Sequence, residues 1–143
     1  MSKLTTALAA VWLGMQIMAG YIAAPVLFHN LPKMQAGAIA GQLFAVLSYI
    51  GIAVWAPVLA VQISKHGSRT TIWLTGSLLA GLAANQFLVA PVIEAHKTHT
   101  EHWLLTLAGG SFGMWHGISS VIFMLCAVLA VIVLRRLFTQ FSR

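Results

Sequence analysis

Long apolar runs broken by short polar stretches dominate the chain, and their lengths predict its elements. Four runs stand out, Leu4 to Phe28, Ala38 to Ser64, Thr70 to Ile93 and Phe112 to Leu137. Each is near the ~20 residues that a helix needs to cross ~30 Å of hydrocarbon. Where no water is present, every backbone N–H must be bonded within its own segment, which a helix does and an open strand does not. The period-2 alternation of a transmembrane barrel is absent. The expected fold is all-α, an integral membrane four-helix bundle in a single domain spanning residues 1–143.

The polar stretches predict the connections. His29 to Gly37 reads as a short turn with Pro32 and Gly37 as breakers, and Lys65 to Arg69 (KHGSR) as a tight turn centred on Gly67. The segment 95–111 reads as a short helix lying at the interface, His96 to Leu107, followed by a flexible joint at Ala108-Gly109-Gly110. Pro25, Pro57 and Pro91 each remove a helical hydrogen bond, so a kink or a helix end is expected at each. Ala24-Pro25-Val26-Leu27 and Ala90-Pro91-Val92-Ile93 echo one another, and Ala56-Pro57-Val58-Leu59 repeats the words again. Duplication of a two-helix unit accounts for the first match, and so does chance recurrence of common membrane residues.

Charge gives a direction to the bundle. With the N-terminus in the cytoplasm, Lys3, Lys65, Arg69, Arg135, Arg136 and Arg143 fall inside and only Lys33 and Lys97 outside, together with both carboxylates, Glu94 and Glu101. That asymmetry is the positive-inside pattern, with both termini cytoplasmic. The first run is too long for a signal-peptide core, and cleavage after Ala24 would leave Pro25 as the new N-terminus, so it is expected to remain as an anchor. Trp73, Trp103 and Trp115 are placed to act as interfacial anchors.

Composition narrows the function. Hydrophobic residues make up 59% and charged residues 7% of the 143, against roughly 25% charged in soluble domains. The expected location is the bacterial inner membrane, with the bilayer as first partner. The net charge of +6 is scattered rather than clustered, so a nucleic-acid partner is not expected. A single cysteine, Cys126, excludes an intrachain disulfide and reads as a small core residue.

Three sets of residues carry candidate chemistry. Glycines at four-residue spacing with other small residues (Gly37 and Gly41; Gly76; Gly109, Gly113 and Gly117) let helices approach closely, within the chain or between copies. Gln16, Gln42, Asn85, Gln86, Ser119 and Ser120, with His116, are polar groups in the spans, all but Gln16 in the outer half. They predict either interhelical hydrogen bonds or a polar cavity open to the outside. Five of the six histidines, His29, His96, His99, His102 and His116, lie toward the outer face. His96-x-x-His99-x-x-His102 on a helix, with Glu94 or Glu101, suggests copper or zinc ligation, and His29 with His116 a haem pair; solvated interfacial histidines explain the same distribution. Gly109-Gly110-Ser111-Phe112-Gly113 matches G-x-S-x-G formally, but its flanks are membrane helix and no acid and base surround the serine, so no enzyme is expected.

Trp12-Leu13-Gly14, Ala24-Pro25-Val26-Leu27-Phe28, Leu31-Pro32, Ala36-Gly37, Gly41-x-Leu43-Phe44 and Trp115-His116-Gly117-Ile118-Ser119-Ser120 resemble the bacterial members of the transmembrane protein 205-like family. The resemblance implies a small four-helix membrane protein, with eukaryotic relatives associated with resistance to platinum drugs. A more distant similarity, to copper-resistance membrane proteins and a haem-pathway protein with histidine-bearing helices, implies a ligand role for His29 and His116. The expected role is that of a non-enzymatic accessory protein working with a second copy or a larger membrane complex. The alternative is a metal- or haem-binding protein.

Overall fold

In a computed structural model the described residues are 3–141, with only the backbone described for Lys3, Gln140 and Phe141. Arg143 and the Lys3 side chain, counted above as cytoplasmic cations, lie outside the described residues. The described chain is all helical, without a strand. Helix α1 (Lys3–Met18) runs through a π turn (Ala19–Ala23) into α2 (Ala24–Asn30). Helix α3 is Lys33–Ser64; α4 (Arg69–Ala84) runs through a second π turn (Asn85–Val89) into α5 (Ala90–Thr98); α6 is Trp103–Ala108 and α7 is Phe112–Phe141. Four continuous helical stretches, Leu4–Asn30, Lys33–Ser64, Arg69–Thr98 and Phe112–Thr139, are long and apolar enough to cross a membrane.

The prolines explain the two π turns. A proline ring clashes with the carbonyl four residues back, and widening the preceding turn relieves the clash. In both cases the residue before the proline donates its N–H five residues back, Ala24 to the Ala19 carbonyl and Ala90 to the Asn85 carbonyl. Pro57 behaves differently. It lies within α3, which runs on without a break to Ser64, so the helix end expected there as one outcome is not found.

Two helices are longer than their apolar runs. The first connection is only Leu31 and Pro32, because proline forces the residue before it into extended backbone and then starts a helix well. Leu31 has φ −123° and ψ 153°, and α3 begins at Lys33. Gly37, expected to break the chain, is helical. A glycine costs about 1 kcal/mol in a helix interior, too little to stop one. At the other end of the molecule the KHGSR turn pivots on His66 rather than Gly67, since His66 has φ +52°. Gly67 donates back to the Gln62 carbonyl at 2.8 Å and His66 to the Ile63 carbonyl at 3.2 Å, which is a Schellman cap.

The four stretches form a ring in which α1 and α4 each pack against α3 and α7. The main core sits in the half nearest the KHGSR turn, around Trp12, Trp55, Val58, Leu78, Ala130 and Val133. Trp12 and Trp55 meet edge to face at 5.9 Å, and Trp12 donates its indole N–H to the Leu47 carbonyl at 2.8 Å. Three glycines allow close approach between helices, and none belongs to the rows expected to do so. A Cβ on Gly51 would lie 2.7 Å from the Trp12 ring, one on Gly20 2.6 Å from Phe123, and one on Gly81 2.9 Å from Cys126. Cys126 is buried in this core. Large apolar side chains such as Val11, Ile17, Val46 and Leu125 stay exposed on outward faces, an arrangement suited to lipid and costly in water.

The half of the bundle nearest the Leu31–Pro32 turn is built otherwise. Its apolar core is small, centred on Val89, Val92 and Trp115. Trp115 is not the interfacial anchor expected of it. Only 6% of it is exposed, and its indole N–H donates to the Gly109 carbonyl at 2.9 Å. Gly109 and Gly110, both with positive φ, turn the chain beneath it from α6 into α7. Trp73 and Trp103 are exposed.

Candidate functional site

The loosely packed half holds a half-open cavity of about 1010 Å³ to which all four stretches contribute. The two π turns flank it. Gly20 and Tyr21 from the first, and Asn85 and Gln86 from the second, are part of its lining. The remainder comes from α2, the first half of α3, α5 and the first half of α7. Ligand pockets in proteins typically measure about 300 to 1,000 Å³, so the space suits a molecule of tens of heavy atoms.

Its wall is aromatic and aliphatic. Tyr21, Phe28, Phe44, Phe112, Phe123 and Met124 line it, with Phe44 of α3 and Phe123 of α7 in tilted contact at 4.8 Å. Among these lie polar groups from three stretches, Gln42, Asn85, Gln86, His116, Ser119 and Ser120. Most of the polar residues singled out in the spans thus surround one space. Among the described residues only one of them makes a hydrogen bond between helices here: Gln86 donates to the Tyr49 hydroxyl at 3.4 Å, near the limit for such a bond. Ser120 donates within its own helix to the His116 carbonyl at 2.9 Å.

Asn85 is the most unusual of the set. It is 7% exposed, begins the second π turn, and its Oδ1 has no hydrogen-bond partner among the described residues. A buried acceptor left unpaired costs about 1–3 kcal/mol. Gln16, expected to belong with this group, is not in the lining. It is fully buried and donates from Nε2 to the Phe123 carbonyl at 2.9 Å, tying α1 to α7.

Two lysines also line the cavity, Lys33 and Lys97, and sequence reasoning missed both. The Lys97 side chain is 17% exposed and meets Glu94, itself 63% exposed, at 3.4 Å. It reaches across to α3, where a Cβ on Gly41 would lie 3.7 Å from its Nζ. Gly41 therefore gives room to an ammonium group rather than to a neighbouring helix. The other glycines of the expected packing rows have no close intrachain partner either. Nothing lies within 4 Å of a Cβ on Gly76, Gly109 or Gly117, and Gly37 and Gly113 have one neighbour each, at 3.9 Å.

The histidine run does not share a helix. His96 is on α5; His99 ends that helix in the left-handed region, with φ +54°; His102 caps α6, its Nδ1 accepting from the Leu104 N–H at 3.3 Å. Histidine enters the left-handed region more readily than most residues, so His66 and His99 both serve as chain reversals. His29 is exposed in the last turn of α2, and Glu101 is exposed before α6. His116 stacks on Phe112 at 5.9 Å, and His96 meets the same ring edge-on at 6.4 Å. Among the described residues no three His, Cys, Asp or Glu side chains gather as a metal-ligand set. The donors needed for zinc or copper held by this chain alone are therefore not assembled here. His116 faces the cavity and His29 is not part of its lining. The serine of the G-x-S-x-G match, Ser111, accepts from the Met114 N–H at 3.2 Å at the start of α7, the work of a helix cap.

A family model described as a domain of unknown function, DUF4149, matches residues 7–102. That stretch covers the first membrane-length helix from Ala7 onward, the second and third in full, and the α5–α6 connection up to His102. No curated protein and no solved structure matches the chain.

Proposed function

The chain belongs to the DUF4149 family, and from that premise we propose a non-enzymatic multi-pass protein of the bacterial inner membrane that holds a largely apolar molecule in its cavity. One observation carries the reading. Residues from all four membrane-length helices surround a space of about 1010 Å³ whose lining includes Asn85, a residue with an unpaired buried acceptor. A cavity serving only as a packing defect would be expected to be dry and wholly apolar.

The positive-inside pattern supports an orientation. Lys65, Arg69, Arg135 and Arg136 fall toward the KHGSR end, against Lys33 and Lys97 at the other, so the termini are cytoplasmic and the cavity opens toward the outside. Holding a ligand for a second copy or a larger membrane complex is the accessory role in its simplest form. Kinship with the transmembrane protein 205-like family belongs to this proposal as well, on the motifs at Trp12, Pro25, Leu31-Pro32 and Trp115-His116.

The test is to purify the full chain from native membranes in a mild neutral detergent and analyse what it carries by mass spectrometry. A specific organic molecule, present in the wild type and lost from Gly41→Phe, is expected. An empty wild-type protein, or the same lipids in both, overturns the reading. A reporter fused to the C-terminus is expected to be active on the cytoplasmic side only.

A further inference from the structure

Resting on the reading of the cavity as a ligand site, we infer that its occupant is an amphiphilic acid: an oxyanion, carboxylate or phosphate, on an apolar body that also carries a hydrogen-bond donor. The oxyanion is assigned to Lys97 and the donor to Asn85.

Lys97 is the reason for the charge. Its side chain is largely buried, folded across the cavity from α5 to the space left open by Gly41. An ammonium group carries three donors, and taking it out of water is costly unless those donors are met. Its ion-pair contact, to Glu94, is long at 3.4 Å, and the carboxylate is exposed. An exposed, loosely placed partner contributes little. Lys33 lines the same cavity, so the lining holds two ammonium groups against one carboxylate. Gln42, Ser119 and Ser120 come from the facing helices to the same space. An incoming oxyanion offers Lys97 the short charge-assisted bonds that Glu94 does not.

Asn85 is the reason for the donor. Twelve residues separate it from Lys97 along the third stretch, about 18 Å of helix rise, so the two mark different depths. Its free Oδ1 can accept a hydrogen bond, and Phe44, Phe112 and Phe123 give the lining its aromatic wall, with polar groups set among the rings. A molecule with an acid at one end, an apolar middle and a hydroxyl or N–H further along satisfies all three regions. A plain hydrocarbon satisfies only the wall.

The experiment uses the full chain in maltoside micelles and measures binding by native mass spectrometry, with thermal stability as a second readout. The probes are 12-hydroxystearate, stearate, methyl 12-hydroxystearate, 1-oleoyl lysophosphatidic acid, 3-hydroxybutyrate and inorganic phosphate. The wild type is expected to bind 12-hydroxystearate about tenfold more tightly than its methyl ester. Lys97→Gln is expected to abolish that difference and Lys65→Gln, at the far end, to leave it intact. Asn85→Leu is expected to remove an about fivefold preference for 12-hydroxystearate over stearate while the acid-to-ester ratio stays. Tight binding of lysophosphatidic acid or the fatty acid, with none of the two small anions, identifies a membrane-derived amphiphile. Binding of the two small anions as tightly as the amphiphiles overturns the assignment of an apolar body to the occupant. Equal binding of acid and ester, or no effect of Lys97→Gln, overturns this inference while a loss of both ligands in Gly41→Leu keeps the cavity reading. No probe bound by the wild type, with nothing co-purifying, overturns both.

Discussion

The two π turns share a backbone and differ in what they carry. Each has five residues, each is followed by alanine and then proline, and each interrupts a membrane-length helix beside the cavity. The first, Ala-Gly-Tyr-Ile-Ala, uses Gly20 to admit the Phe123 ring and closes the bundle. The second, Asn-Gln-Phe-Leu-Val, sends Asn85 and Gln86 into the space that the first helps to wall. The same proline-driven distortion thus serves packing on one side and polar presentation on the other. Residue type, rather than backbone, decides which, and the contrast continues in the surrounding halves: tryptophan-filled below the turns, hollow and mixed above.

Breaking the packed side should cost most. Trp12→Ala removes a buried ring, its contact with Trp55 and its bond to the Leu47 carbonyl, and is expected to destabilise the protein by about 3 kcal/mol or more. A large fall in melting temperature in detergent is the readout, and a small one contradicts the placement of the core. Gly51→Ala comes next. Its methyl group would press on the Trp12 ring, so a loss of about 1–3 kcal/mol is expected, whereas Gly117→Ala, with open space around it, should be neutral or stabilising by a few tenths to about 1 kcal/mol. Equal effects of the two alanines would show that helix propensity and not close approach governs these glycines. The smallest effect is expected on the polar side. Asn85→Leu relieves an unpaired buried acceptor, so the ligand-free protein should melt no lower, and up to about 1 kcal/mol of stabilisation is expected. A marked destabilisation would mean that Asn85 is a structural strut and not a presented group.

Long-range reach separates what was legible in the sequence from what was not. The four helices follow from apolar run length, a local quantity, and they were readable from Leu4 to Leu137. Their ends were not, because Lys33 to Gly37 and Glu94 to Thr98 are polar or glycine-bearing residues that a helix tolerates once it is already propagating. The His96–His102 run reads as part of one short helix, and His99 instead takes the left-handed turn, a choice that composition does not reveal. The amides and hydroxyls around the cavity could be noticed as a group, since each is costly wherever it faces oil. Lys97 could not, because its meaning depends on Gly41, 56 residues away in the chain. The spacing rule for glycines points to Gly37, Gly41, Gly76, Gly109, Gly113 and Gly117. The close approaches fell instead at Gly20, Gly51 and Gly81, each opposite a large or polarisable side chain from another helix.

A π turn fits one more residue into a helical turn than the α form does. Each therefore behaves as a one-residue loop stored inside a rod, held open by the proline that follows. Losing one residue between Gly20 and Ala23 leaves the residue count of an α turn, so Phe28 and the Leu31–Pro32 corner can keep their places at the cost of the clash that Pro25 then makes. A deletion in α3, which has no such slack, rotates everything beyond it by about 100°. Changes of chain length in the first and third stretches thus have a reserve that the second lacks.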